Sequence, residues 1–207
     1  MVKCILGKKI GMIRIFRDNG ESIPVSVLEV GPCYITQIKK IEKDGYNAIQ
    51  VGFRPTKDKR LNKPLLGHFK AAGKGGFTYL REIKVEDVDP FELGQEITSE
   101  MFAVGDLVTV RGISKGRGFS GVVKRWGFSG GDKTHGCRSH KVPGSIGSSA
   151  FPSRVIKGKK LPGRMGNRGV TVKNLAVLDV VKEKNMILVK GAVPGSSGGL
   201  LEVKVNS

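Results

Sequence analysis

Between Arg111 and Lys173 the chain carries fifteen Lys or Arg against a single acid, Asp132, and fourteen of these sixty-three residues are Gly. Such a segment has too little apolar surface to offset the entropy of ordering its backbone, so it cannot build a core of its own. It nevertheless lies between stretches with clear strand patterning. The expected fold is therefore mainly β, a closed β-barrel or a sandwich with short helices and a long basic loop inserted in mid-chain. The strands on the two sides must share one core, since neither set is complete alone.

Charge sharpens the point. The whole chain has 36 Lys or Arg and 18 Asp or Glu, and the segment contributes +14 of the resulting +18. A positive field concentrated on one flexible stretch calls for a polyanion, and a structured RNA fits best. The 207 residues admit one large or two small domains. No apolar run approaches the ~18 residues of a membrane span, so no membrane partner is expected. The start, MVKCILGKKIGM, has only a short apolar run before charge resumes, too little for a signal peptide. Cys4, Cys33 and Cys137 are odd in number and far apart. A disulfide framework is not expected, and a reducing cytosol suits the chain.

Cys4–Leu6 and Ile10–Phe16 read as short strands around Gly7-Lys8-Lys9, with a turn at Asp18-Asn19-Gly20. Ile23–Val30 alternates as a strand, with Ile23, Val25, Val27 and Glu29 on one face. Tyr34–Ile41 and Tyr46–Phe53 flank Lys43-Asp44-Gly45, which reads as a tight hairpin turn. Residues 54–81 are a basic excursion in which Pro64–Ala72 predicts a short helix ended by Gly73. Residues 82–106 hold eight acids against Lys84 and are expected to face water. Strands are predicted at Leu80–Val88, Asp106–Ile113, Val170–Val181, Met186–Val193 and Leu200–Val205. VVKRWGF, from Val122, allows two helical turns. No repeat is found at periods of about 20–50 residues.

Three constellations could carry chemistry. Gly116-Arg117-Gly118-Phe119-Ser120-Gly121 matches GxGxxG after a predicted strand, but the ribose-binding acid expected about twenty residues on is missing, and no second βα unit follows. Its backbone amides could still hold a phosphate beside Lys115 and Arg117, or the glycines could simply redirect the chain. His135, Cys137 and His140 offer three metal ligands where a closed zinc site needs four. As a Cys–His pair they lack an apolar wall and an orienting acid. Trp126 could stack on a base, buttress the segment where it departs, or anchor a short helix in a core. Tryptophan's usual burial favours the last. The remaining basic residues are interleaved with Gly and Pro rather than set at helical spacing. That mixture suits an extended chain threading between RNA helices.

GKKIGM near the start, GRGFSGVVKRWGFSGGDKTHGCRSHKVPGSIG, KGKKLPGRMGNRGVTVKNLAVLDV and LVKGAVPG resemble the bacterial large-subunit ribosomal protein L-three family nearly end to end. The resemblance implies a β-barrel like that of translation factors, spanning 1–126 and 170–207, and an extension over 127–169 that runs through rRNA toward the peptidyl transferase centre. It implies direct, early binding of 23S rRNA near its 3′ domain, neighbouring large-subunit proteins as partners, no cofactor, metal or small-molecule substrate, and no catalysis. The candidate rRNA-binding residues are then Lys8, Lys9, Arg54, Lys57, Lys59, Arg60, Lys115, Arg117, Lys124, Arg125, Trp126, Lys133, His135, Arg138, His140, Lys141, Arg154, Lys157, Lys159, Lys160, Arg164 and Arg168. The implied tip is Ser145, Ile146, Gly147, Ser148, Ser149, Ala150, Phe151, Pro152, Ser153 and Arg154. Some family members carry a methylated glutamine there. The matching position is Ala150, so that modification cannot occur at this site. The reading from another class is an RNA-modifying or cofactor-dependent enzyme using the glycine turn and Cys137.

Overall fold

The computed structural model describes residues 4–73 and 75–206. In chain order the strands and helices are β1 (Cys4–Phe16), β2 (Ser22–Val30), β3 (Cys33–Lys39), α1 (Ile41–Asp44), β4 (Ala48–Pro55), α2 (Lys63–Ala71), β5 (Phe77–Lys84), β6 (Glu96–Ile97) and β7 (Leu107–Ile113), then β8 (Phe119–Ser120), α3 (Val122–Trp126), β9 (Gly163–Arg164), β10 (Gly169–Val181), β11 (Met186–Lys190) and β12 (Leu200–Val205). They form two compact units, Met1–Ile113 with Gly169–Ser207, and Ser114–Arg168.

The first unit is built on a closed antiparallel barrel in the order β1-β12-β7-β10-β11-β2, with β2 pairing back to β1. Strands from both ends of the chain complete one cylinder, as the split strand pattern requires. Alternation selects the inward residues. Val108 and Val110 of β7, Ile187 and Val189 of β11, and Leu201 and Val203 of β12 are buried, and they join Leu28 and Val30 in one cluster. Cluster members Cys33, Ile35, Ile49, Val51 and Phe53 carry the same core into a second sheet, β5-β4-β3-β6. The Cys33 thiol donates to the Leu6 carbonyl at 3.5 Å, and burial pushes it up to about 12. It is packing, not reactive chemistry.

The strand expected at Leu80–Val88 runs instead from Phe77 to Lys84, and three further local expectations change. The N-terminal stretches are one thirteen-residue strand, β1, with a bulge between Lys9 and Gly11 that lets it follow the barrel's curvature. Lys43-Asp44-Gly45 is not a tight hairpin turn. It closes the single helical turn α1, with Gly45 left-handed at φ 80°. In β2 burial shifts phase at Val25–Ser26, and the face shared with β11 is Ser26 and Leu28 opposite Val189 and Ile187. The Ser26 hydroxyl pointing there is satisfied by the Gly191 carbonyl at 2.6 Å.

α2 forms as expected. Asn62 accepts from the Leu65 N–H at 3.2 Å, and Pro64 sits in the first turn. It buries Phe69 edge-on to Phe77 at 5.7 Å. The acids of 82–106 are exposed except half-buried Asp106. Glu82 pairs with Lys39 at 2.7 Å and accepts from Tyr46 at 2.8 Å. Those hydrogen bonds, Lys39's first, hold its carboxyl below the usual range. Among the described residues no helix is long and apolar enough to cross a membrane.

Candidate nucleic-acid interface

The second unit contains thirteen Lys or Arg and one acid, Asp132. It begins and ends as a backbone-paired stem. The Ser114 N–H donates to Arg168 O at 2.9 Å and the Asn167 N–H to Ser114 O at 3.1 Å, while Arg117 and Met165 lock the next rung through Arg117 N–H to Met165 O and Met165 N–H to Gly118 O, both 2.9 Å. β8 and β9 continue it, with Phe119 opposite Arg164. Gly166, left-handed at φ 70°, lies against the Lys115 carbonyl, where a Cβ would collide. The GxGxxG turn is thus the outgoing half of the stem. The Arg117 amide is taken by Met165 and so is not open to a phosphate, and the motif brings two backbones together.

Past the stem, α3 crosses to the returning chain. The Arg125 guanidinium and the Trp126 indole N–H both donate to the Leu161 carbonyl, at 2.7 and 2.9 Å. The guanidinium lies 5.0 Å from the Trp126 ring centroid, and Lys160 Nζ lies 5.9 Å from it. Gly163 leaves the room that Arg125 occupies, since a Cβ there would strike the guanidinium. Trp126 is 41% exposed. It is therefore a brace across the segment rather than a core anchor, because a five-residue helix that buries only Val122 provides no core to receive the ring. Leu161 and Gly163 were not singled out in the sequence. A carbonyl acceptor and a missing Cβ leave no compositional mark.

Trp126→Ala is expected to remove one hydrogen bond of about 1 kcal/mol and cation–π contacts of about 0.5–1 kcal/mol. In the free protein, trypsin cleavage after Lys159 and Lys160 should rise roughly five- to thirty-fold, since cleavage follows the open population. An unchanged rate would show that Trp126 does not brace the chain.

Farther along, Gly130 and Gly131 pack against the backbone of His140 and Ser139, and His140 Nδ1 lies 2.7 Å from the Asp132 carbonyl. His140 is thus engaged in closing a loop. Among the described residues no group of three or more His, Cys, Asp or Glu is arranged to hold a metal. In the tip, the Ser145 hydroxyl donates to the Gly147 carbonyl at 3.1 Å, and Gly147 lies near the Arg154 carbonyl, 3.6 Å from where its Cβ would be.

All thirteen basic side chains of this unit are exposed except half-buried Arg125. None of the ion pairs among the described residues involves this unit. His135 and His140 are exposed with them.

The other candidates lie in the first unit. Lys8 faces Glu29 at 3.7 Å, and Lys9 Nζ donates to the Val193 carbonyl at 3.0 Å, so the protein itself already engages both. Arg54, Lys57 and Arg60 converge on an open groove of about 630 Å³ floored by Leu61, Leu65 and Phe77. Lys59 is exposed in the 3-10 turn Asp58–Arg60. Arg54 holds φ 62°, a strained value for a residue with a Cβ, and strain of this kind gathers at binding sites.

The pattern that describes the family Ribosomal protein L3 matches residues 83–186. The large ribosomal subunit protein uL3 of Desulfosudis oleivorans is 57% identical over 208 residues, covering 100% of both chains. That of Syntrophotalea carbinolica is 54% identical over 205 residues, covering 99% of this chain and 98% of its own. That of Petrotoga mobilis is 50% identical over 203 residues, covering 98% and 95%.

Proposed function

The chain belongs to the ribosomal protein L3 family, and on that premise we propose that it is a non-enzymatic constituent of the large subunit of cytoplasmic ribosomes that binds 23S rRNA directly. It acts early in subunit assembly beside other large-subunit proteins. Residues 127–169 are the portion that penetrates RNA and supports the peptidyl transferase centre; the chain reaches it through the outgoing stem and α3, 114–126, and the barrel portion is 1–113 with 170–207. The observation that carries this reading is the run of thirteen cations in 114–168, nearly all exposed and without ion-pair partners among the described residues. Fixed cations left uncompensated by the protein repel one another and are stabilised by a polyanion. The groove at Arg54, Lys57 and Arg60 supplies a second contact to the same RNA.

Salt tests it. Each phosphate neutralised contributes about −0.7 to −0.9 to the slope of log affinity against log salt. If ten cations engage phosphate, the slope for a 23S rRNA fragment should be about −7 to −9. A slope near zero would overturn the proposal.

A further inference from the structure

We infer that Phe151 is a base-stacking residue, placing an unpaired nucleobase of the RNA on its ring; this rests on the rRNA-binding reading above. Phe151 is 88% exposed, more than any other large apolar side chain described. The tip around it is turned in on itself, through the Ser145 hydroxyl on Gly147 and Gly147 against the Arg154 carbonyl. Ser148, Ser149 and Ala150 precede it, and Pro152 and Ser153 follow, so its neighbours are too small to cover the ring. It takes part in none of the aromatic pairs among the described residues. The other strongly exposed phenylalanine of this unit, Phe119, stands on the paired stem with Arg164 directly opposite.

The occupant follows from charge. No acid occurs between Lys133 and Arg168, while Arg154, Lys157, Lys159 and Lys160 follow the ring within nine residues. An aromatic face beside a run of cations matches single-stranded nucleic acid, whose phosphates meet the cations while a base covers the ring. A protein partner would have to bring an acidic surface to the same place.

The test uses full-length protein assembled into large subunits, with Phe151→Ala, Phe151→Leu and Phe151→Tyr beside the unaltered chain. Acylation of rRNA 2′-hydroxyls should rise about five-fold or more at one or two nucleotides in the Ala and Leu subunits, the lower end of what losing one base–aromatic stack changes. Phe151→Tyr should keep the unaltered pattern. With p-benzoylphenylalanine at position 151, light should produce a crosslink that ribonuclease removes. Identical acylation in the Ala and unaltered subunits overturns the inference, and so does a crosslink to protein. Failure of even the unaltered chain to bind rRNA would instead refute the parent reading.

Discussion

Replacing Lys157, Lys159 and Lys160 together by Gln is expected to weaken binding to 23S rRNA roughly 50- to 150-fold at physiological salt. Three phosphate contacts, each contributing about 0.7–0.9 to the salt exponent, remove about two to three from the slope, and near 0.15 M salt that is about two decades of affinity. The three side chains are exposed and have no acidic partner among the described residues, so their charge is available to RNA. Trp126 and Arg125 keep their bonds to Leu161, so the brace survives apart from the Lys160 contact. Filter binding across a salt series reads both affinity and slope. Deleting Ser148–Ser153, which carries no charge, should by contrast leave the salt slope unchanged, with any loss of affinity limited to the single stack at Phe151. A triple variant that binds as tightly as the unaltered chain, with an unchanged slope, would show that these lysines do not meet phosphate.

Ile187→Ala is expected to lower the unfolding free energy by about 2–5 kcal/mol. Total stabilities are about 5–15 kcal/mol, so this is a large fraction. Ile187 is fully buried and is directly opposite Leu28 of β2 and Val180 of β10. Truncation there opens a cavity among strands tied on both sides, which limits collapse into the gap. Ile187→Val should lose only about 0.5–1.5 kcal/mol. Far-UV circular dichroism in a denaturant titration is the readout, because the sole tryptophan, Trp126, lies in the other unit. A shift below 1 kcal/mol for the Ala variant, with an unchanged denaturant slope, would contradict the packing described.

Local patterns carried a good part of the fold. β7, β10 and β12 fall where alternation places them, and α2 follows its Asn62 and Pro64 signals. The failures are physical too. Lys-Asp-Gly serves a tight turn and a helical turn equally, since both end in a left-handed glycine. The register Lys39 opposite Ala48 leaves residues 40–47 to be spanned, and that length favours α1. In β2, IPVSVLEV has apolar residues on both faces, so the partner strand settled which points inward.

Composition alone set the expectation that residues 111–173 build no core of their own and that their charge suits a polyanion, because both follow from counts of side chains whatever their arrangement. The tertiary structure decided which cations lie together. Arg54, Lys57 and Arg60 meet over an apolar floor from α2 and β5, and Arg125 and Trp126 reach the Leu161 carbonyl some 35 residues away in sequence. It also decided that Lys9 reaches Val193, 184 residues on. Alternation and capping are properties of neighbouring residues and can be read along the chain. A carbonyl, a missing Cβ or a closing strand gains its role only when distant backbone arrives beside it, and barrel closure and stem pairing are what bring it there.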